Sequence, residues 1–237
     1  MRDMLKCKAD ELGVDLDDRM LDQFEMFYRL LTEKNKVMNL TSITEPEMVV
    51  DRHFIDSLSV VKCVDMRSVK TVIDVGTGAG FPAIPLKIAF PHLQITLLDS
   101  LNKRIEFLNE AINELMFDNM TAVHLRAEDA AHDRLYRQKY DLAVSRAVAD
   151  LAVLSEYCLP FVRCGGKFAA YKSGSSEAEI RRAGKAIKVL GGRICATSSF
   201  DLPGTDLSRT IVAVEKTGST AGRYPRRAGT PAKSPIL

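Results

Sequence analysis

Three glycines and one carboxylate form the clearest chemical pattern in the chain. Gly76, Gly78 and Gly80 follow directly on the short β-branched run Thr71–Val75. Asp99 lies 23 residues after Gly76, at the end of a second such run. Glycine lets the backbone approach a ligand closely and adopt positive φ, and the helix that follows begins with free N–H groups. Because a carboxylate at the end of the second strand can accept both hydroxyls of a ribose, the pattern predicts a site for an adenosine-containing ligand.

Two classes of adenosine-containing ligand are compatible with this loop, and its glycine spacing favours one of them. The segment from Gly78 to Ala83 formally matches the dinucleotide pattern G-x-G-x-x-G/A, although Pro82 and Pro85 lie where a regular helix would begin beneath a pyrophosphate. The GxGxG spacing that starts at Gly76 is more typical of enzymes that bind S-adenosylmethionine, which carries a methionine tail and no phosphate. An NAD-dependent oxidoreductase is therefore the alternative.

The elements that must position these residues alternate between strand and helix. Strands are predicted at Thr71–Val75, Gln94–Leu98, Met120–Leu125, Tyr140–Ser145, Lys167–Tyr171, Arg193–Thr197 and Thr210–Glu215, and helices at Ala83–Phe90, Lys103–Leu115, Leu151–Phe161 and Glu177–Val189. Such alternation is typical of a mainly parallel sheet with helices on both faces. The last two strands are separated by Pro203-Gly204 and no helix, so we predict a hairpin and one antiparallel strand among seven. That closing hairpin also favours the S-adenosylmethionine class.

The chain divides into three predicted parts. Residues 1–66 form a helical extension, because apolar residues repeat at a helical period from Asp17 to Lys36 and Pro46 suits a first helical turn. Residues 67–217 form the α/β domain. Residues 218–237 carry four basic and no acidic side chains together with six glycines or prolines, which predicts a loop or a disordered arm. This concentration of positive charge indicates a polyanionic partner.

Composition excludes several classes of protein. The chain has 46% apolar and 27% charged residues, as an ordinary soluble domain has. No apolar run approaches the roughly 20 residues of a spanning helix, and the charged start MRDMLKCKADE predicts no signal peptide, so we expect a cytoplasmic protein. The five cysteines include no CxxC pair and the four histidines show no ligand spacing. We therefore expect reduced thiols and no metal site.

Several segments in combination resemble the ribosomal RNA small-subunit methyltransferase G family, also known as glucose-inhibited division protein B. They are DVGTGAGFPAIPL (74–86), LLDSLNKRIEFL (97–108), RAEDAA (126–131), VSRAVA (144–149) and YPRRAGTPAKSPIL (224–237), with Asn39-Leu-Thr41 and Arg52-His-Phe-Ile-Asp-Ser57 in the helical extension. The resemblance covers essentially the whole chain. One departure is Ala83, which stands where the family usually has a glycine.

The resemblance implies a Rossmann-like, class I S-adenosylmethionine-dependent methyltransferase that methylates N7 of one guanosine in 16S rRNA. The cofactor-binding residues that it implies are Gly76, Gly78, Gly80, Phe81, Asp99, Ala127, Glu128 and Arg146. Within that set, Phe81 would form a wall of the pocket and Ala127-Glu128 would border the adenine. Arg146 lies where the methyl group meets its acceptor, which makes it the predicted catalytic residue. The fold expected for the chain is this sheet with its N-terminal helical extension.

Basic residues near the site and in the tail are the predicted contacts to RNA. They are Lys103, Arg104, Lys172, Arg223, Arg226, Arg227 and Lys233. The expected partner is 16S rRNA or the small ribosomal subunit particle, bound by a monomer. His53 is expected to hold the helical extension against the sheet and not to act in acid–base chemistry.

Two other methylation chemistries lack their usual residues. Adenine N6 methylation usually shows an Asp/Asn-Pro-Pro-aromatic segment after the fourth strand, where this chain has Ser145-Arg-Ala-Val. Cytosine C5 methylation needs a thiolate nucleophile, typically in a Pro-Cys pair, and none of the five cysteines follows a proline. A third interpretation is a non-catalytic RNA-binding assembly factor that retains a vestigial pocket.

Overall fold

The computed structural model describes residues 1–146, 149–174 and 176–237. Its strands are β1 (Thr71–Val75), β2 (Gln94–Asp99), β3 (Met120–His124), β4 (Tyr140–Ser145), β5 (Val162–Ser173), β6 (Gly192–Asp201) and β7 (Ser208–Lys216). They form one sheet in the order β3-β2-β1-β4-β5-β7-β6. The strands from β3 to β5 pair in parallel, whereas β7 is antiparallel to both β5 and β6. Within the described residues, the predicted seven-stranded sheet with one antiparallel strand is confirmed.

The strand order reverses beside β1, and this reversal determines where a ligand can enter. The chain runs from β1 outward to β2 and β3, then returns to place β4 on the other side of β1. The carboxyl ends of these parallel strands meet at one edge of the sheet, where Val75, Asp99 and Ser145 end β1, β2 and β4. In open α/β sheets a ligand binds in the crevice at such a switch point.

Strand β5 is longer than the sequence predicts, for a reason that involves glycine. It begins at Val162, five residues before the predicted start at Lys167. The intervening Gly165 and Gly166 suggest a turn. Gly166, however, lies so close to the neighbouring strand β4 that a Cβ on it would come 2.7 Å from the Asp141 carbonyl oxygen. The glycine therefore permits close backbone contact within the sheet and does not end the strand.

The helices cover both faces of the sheet. They are α1 (Arg2–Glu11), α2 (Asp18–Met38), α3 (Pro46–Val49), α4 (Asp56–Leu58), α5 (Ala83–Ala89), α6 (Asn102–Glu114), α7 (Ala127–Ala130), α8 (Leu151–Cys158), α9 (Glu177–Val189) and α10 (Thr230–Lys233), with a π-helical turn over Val50–Ile55 and 3-10 turns over Ser59–Lys62 and Leu159–Phe161. None of the described helices is both long and apolar enough to cross a membrane.

The helical extension shares its core with the sheet. Asp17 caps α2, because its side chain accepts a hydrogen bond from the Met20 N–H at 2.8 Å. Phe24 and Phe27 on the same helix are fully buried, and their rings lie 4.9 and 6.0 Å from the ring of Phe54. Their cluster continues into the residues of α5 and α6 that pack on the sheet. The extension is therefore held against the α/β domain by a continuous apolar core.

The basic tail, residues 218–237, packs against the domain as a loop, which is one of the two predicted forms, and not as a disordered arm. The Arg137 guanidinium donates to the carbonyl oxygens of Thr220 at 2.9 Å, Ala221 at 3.2 Å and Tyr224 at 2.9 Å. The composition of the tail could not indicate this, because the donor lies more than 80 residues away along the chain. Most of the tail is loop, as predicted, and only α10 is regular.

Candidate active site

The glycine loop between β1 and α5 turns back against the end of β2. Gly76, Gly78 and Gly80 have positive φ angles of 74°, 62° and 90°. The Gly78 N–H donates to Asp99 Oδ2 at 2.9 Å, so the loop and the carboxylate identified in the sequence are in direct contact. At Gly80 a Cβ would lie 2.4 Å from Ile84 Cδ1. The loop therefore depends on glycine for its conformation and for its packing on α5.

Asp99 is 4% exposed, and three donors hold its carboxylate in place. Besides Gly78, the Leu101 N–H donates to Oδ1 at 3.0 Å and the Arg104 guanidinium donates to Oδ2 at 3.2 Å. An ionised carboxylate offers about four acceptor positions, so one is left for a ligand hydroxyl. Arg104, predicted as an RNA contact, is instead bound to the carboxylate of the site.

Asp74 on β1 has a buried carboxylate that the protein satisfies only in part. The Thr77 hydroxyl donates to Oδ2 at 2.7 Å and the Ala83 N–H donates to it at 3.2 Å. Among the described residues, none donates to the buried Oδ1. Burial raises the pKa of Asp74 to about 7. The Asp74 side chain is fully buried and lines neither of the cavities described below, so its carboxylate serves the glycine loop and the start of α5.

A first cavity of about 360 Å³ opens at the carboxyl ends of the central strands. Its lining includes four residues predicted to bind a cofactor, namely Gly76, Asp99, Ala127 and Glu128. Tyr157 of α8 and Gly229 of the basic tail also line it, and sequence reasoning missed both. The Gly229 N–H donates to Glu128 Oε1 at 2.9 Å across 101 residues of chain, a separation over which no local pattern signals a contact.

A second cavity of about 640 Å³ adjoins the first, and Ala149 lines both. In it, Arg146 donates to the Arg52 carbonyl oxygen at 2.8 Å and to Asp56 Oδ2 at 3.1 Å. Arg209 of β7 donates to Asp56 Oδ1 at 2.9 Å, so one buried carboxylate holds two guanidinium groups. The resembling segment 52–57 contains Asp56, but its pairing with Arg209, 153 residues away, could not be read from the sequence.

Positive charge predominates around the second cavity. Its charged lining residues are five cations and three acids, namely Arg52, Arg146, Lys172, Arg182 and Arg209 with Asp56, Asp150 and Glu179. Lys172, predicted as an RNA contact, donates to Glu179 at 2.6 Å and to the Ala149 carbonyl oxygen at 2.7 Å, and it is 11% exposed. The excess of two cations suits a polyanionic ligand.

His53 lies between the helical extension and the sheet, with both ring nitrogens in polar contacts. Nε2 is 2.9 Å from Thr41 Oγ1, and Nδ1 is 3.2 Å from Arg146 Nη2. Burial and the positive charge of Arg146 lower the pKa of His53 to about 4. The ring is therefore neutral at pH 7, which agrees with a structural role.

Phe81 was predicted to form a wall of the ligand pocket, and the structure places it differently. Its side chain is 5% exposed and is absent from the lining of both cavities. The ring stacks on His53 with 4.5 Å between centroids and contacts Phe27 at 5.3 Å. The Arg146 guanidinium carbon lies 5.1 Å from the centroid of the Phe81 ring. Phe81 thus supports Arg146 through a cation–π contact.

The remaining predicted RNA contacts divide into exposed and engaged side chains. Lys103 on α6 and Arg223, Arg227 and Lys233 in the basic tail are exposed. Arg226 is engaged, because its guanidinium binds both oxygens of Glu156, which is 1% exposed. Residues 147 and 148 of the VSRAVA motif lie outside the described residues.

Comparison with known proteins gives a consistent result. The model of a family described as rRNA small subunit methyltransferase G matches residues 20–207. A protein named ribosomal RNA small subunit methyltransferase G from Lachnoclostridium phytofermentans is 50% identical over 226 residues, which is 95% of this chain and 93% of that protein. One of the same name from Alkaliphilus metalliredigens is 47% identical over 233 residues, 98% of each chain. Among solved structures, M. jannaschii TYW2 in complex with AdoMet shares the fold, with a TM-score of 0.52 and 13% identity over 62% of this chain and 69% of its own.

Proposed function

The chain belongs to the rRNA small subunit methyltransferase G family, and from that premise we propose that it transfers a methyl group from S-adenosylmethionine to N7 of a guanosine in 16S rRNA. Its Rossmann-like fold is that of class I S-adenosylmethionine-dependent methyltransferases, as the sequence predicted. The RNA substrate gives the proposed activity a cytoplasmic location, and we propose that a monomer carries it out.

Two adjacent cavities of different chemistry carry the proposal. The first has the carboxylate that we propose for the ribose, Asp99, next to a glycine loop. The second has an excess of cationic side chains and includes Arg146 in its lining. Ala149 lines both, so a methyl donor in the first cavity and a nucleotide in the second would be neighbours. An enzyme that transfers a group from a nucleoside cofactor to RNA requires two such neighbouring sites.

Residues of the first cavity suit the adenosine part of S-adenosylmethionine. Asp99 would accept one ribose hydroxyl at its open acceptor position, and Ala127 with Glu128 would border the adenine. When bound, the cofactor supplies a methyl group on a positively charged sulfur.

The chemical step that we propose needs placement of the reactants and no general base. Guanine N7 carries an exposed lone pair, so its methylation removes no proton from the nucleophile. The protein must therefore align the base with the methyl group, and Arg146 is the proposed catalytic residue for that placement. Its guanidinium is fixed by Asp56 at 3.1 Å and by the Phe81 ring. Asp56 is shared with Arg209, so it offsets only part of the charge of Arg146.

RNA beyond the acceptor nucleotide would be held by the exposed cations. We propose Lys103, Arg223, Arg227 and Lys233 as phosphate contacts, because they are exposed on the domain and on its basic tail. Arg104 and Arg226 are bound to Asp99 and Glu156, so we assign them to these carboxylates. Lys172 is bound to Glu179 but lines the second cavity, where it adds to the positive charge proposed to hold RNA.

Methyl transfer to unmodified small ribosomal subunits tests this function. The protein is incubated with the particles and radiolabelled S-adenosylmethionine, and the digested RNA is analysed by mass spectrometry. We expect one methyl group on N7 of a guanosine in 16S rRNA, formed about 100-fold more slowly with Arg146→Ala. A methyl group on carbon or on an exocyclic nitrogen would contradict the N7 assignment.

The two alternatives give different results in simple assays. A bound ligand raises the free energy of unfolding by RT ln(1 + [L]/Kd), so stabilisation by NAD and not by S-adenosylhomocysteine would support the oxidoreductase. Stabilisation by S-adenosylhomocysteine without methyl transfer to RNA or to particles would support the non-catalytic assembly factor.

A further inference from the structure

Residues 220–230 of the basic tail, which we call the strap, run from Arg137 to the edge of the first cavity. We infer that the strap is part of the cofactor-binding site: it closes the adenine side of the first cavity and holds Glu128, and Arg226 is the positioning residue that fixes it. This inference rests on the proposed cofactor and adds to it a binding element that the glycine-loop motif does not contain.

The strap is anchored at its beginning by side chains of the α/β domain. Arg137 binds the carbonyl oxygens of Thr220, Ala221 and Tyr224. His132 Nε2 lies 2.8 Å from the Pro225 carbonyl oxygen. Backbone groups that are satisfied in this way resist displacement by water, because each acceptor has a fixed partner. The strap therefore has a defined path as far as residue 225.

A buried ion pair then fixes the strap to α8. The Arg226 N–H and Nε donate to Glu156 Oε1 at 2.8 and 2.9 Å, and Nη2 donates to Oε2 at 2.6 Å. Glu156 is 1% exposed, so loss of Arg226 would leave a buried carboxylate without its cation. The next residue along α8 is Tyr157, which lines the first cavity. The ion pair thus joins the strap to the helix that forms one cavity wall.

The strap reaches the cavity at Gly229, three residues after Arg226. Gly229 lines the cavity, and its N–H donates to Glu128 Oε1 at 2.9 Å. A φ of +80° at Gly229 gives this N–H its direction, and a side chain there would be strained. Glu128 is 7% exposed and lines the same cavity. The strap therefore orients a carboxylate that can accept a hydrogen bond from the exocyclic amine of adenine.

Calorimetric titration of the full chain with S-adenosylhomocysteine and with 5′-methylthioadenosine tests the inference. We expect Arg226→Ala to weaken the binding of both ligands by the same factor, of at least about tenfold. Without Arg226 the strap no longer orients Glu128, and the adenine that Glu128 would contact is common to both ligands. Arg226→Lys should recover only part of the affinity, since an ammonium cannot bind both oxygens of Glu156 in a fork. Arg134→Ala, which removes an exposed arginine from the turn before Arg137, is the matched control and should change neither affinity.

Other variants separate the possible outcomes. If Arg226→Ala does not fold, Gly229→Ala replaces it, because it leaves the ion pair intact and strains only the contact to Glu128. Unchanged affinity for both ligands in a folded variant, with lower thermal stability, would show that the strap is only a structural clasp and would overturn the inference. Hydrogen exchange of the wild-type protein gives an independent result, namely slower exchange of residues 226–230 when S-adenosylhomocysteine is bound. A wild-type protein that binds neither ligand would instead contradict the proposed function.

Discussion

Replacing Asp99 with alanine tests the ribose assignment in the first cavity. The Asp99 carboxylate is 4% exposed, and Gly78, Leu101 and Arg104 hold it in one orientation, so a ligand hydroxyl would meet a desolvated, fixed acceptor. A hydrogen bond to a charged group contributes about 1.5–3 kcal/mol. We therefore expect Asp99→Ala to weaken S-adenosylhomocysteine binding by roughly 10- to 150-fold.

Calorimetry with a 2′-deoxy analogue makes this test specific for the ribose. In the wild-type protein, removing the hydroxyl should reduce affinity, whereas in Asp99→Ala it should cost little, because the acceptor is already absent. Asp129→Ala is the matched control, since Asp129 lies on α7 beside the cavity but is exposed. Its affinity should equal that of the wild-type protein.

Loss of Asp99 also removes the acceptor of the Gly78 N–H, so the stability of the loop must be measured separately. Thermal unfolding without ligand gives the temperature below which both proteins are folded, and affinities are compared there. Wild-type affinity in the folded variant would refute the ribose assignment. An equal effect of the 2′-deoxy analogue on both proteins would refute it too, because the hydroxyl would then have another partner.

Three further predictions concern the second cavity, the tail and His53. Arg146→Ala should lower the single-turnover methylation rate by about 100-fold, the loss expected from misplaced reactants; a wild-type rate in rapid-quench measurements would exclude its role. Each phosphate contact adds about 0.7–0.9 to the slope of log RNA affinity against log salt concentration. Replacing the three exposed cations Arg223, Arg227 and Lys233 with alanine should therefore flatten this slope by up to about 2.7. The same variant should keep its S-adenosylhomocysteine affinity, and an unchanged salt slope would remove these cations from the RNA interface. The pKa of His53 is about 4 in the folded protein and ordinarily 6.5, so the unfolded chain takes up the proton first. The free energy of unfolding should therefore fall by up to about 3 kcal/mol as the pH is lowered from 6.5 to 4. In urea unfolding, His53→Asn should lack this part of the loss.

Features carried by local patterns could be predicted from the sequence. Strand β1 and helix α9 begin and end where their patterns predict, at Thr71–Val75 and Glu177–Val189. The contact between Gly78 and Asp99 follows from the same logic, because the parallel register of β1 and β2 brings a loop and a strand end together. In each case the information lies within one strand–helix unit, where periodicity and turn chemistry act over a few residues.

Features that depend on pairing across the chain could not be predicted. Asp56 binds Arg209 across 153 residues, and Glu156 binds Arg226 across 70. No periodicity marks such a pair, because either partner alone has the appearance of an ordinary charged residue on a helix or in a loop. The charge of the basic tail correctly drew attention to it, but net charge could not distinguish Arg226, which is engaged by a buried acid, from exposed Arg227.

The surroundings of Arg146 agree with a reaction that needs no base. A general base works best with a pKa near the operating pH, whereas the pKa of His53, the histidine beside Arg146, is about 4. Its two ring nitrogens already contact Thr41 and Arg146. Asp56, the nearest acid, is occupied by two guanidinium groups. These groups fix a cation in position and do not prepare a proton acceptor, as expected for a nucleophile whose lone pair is already free.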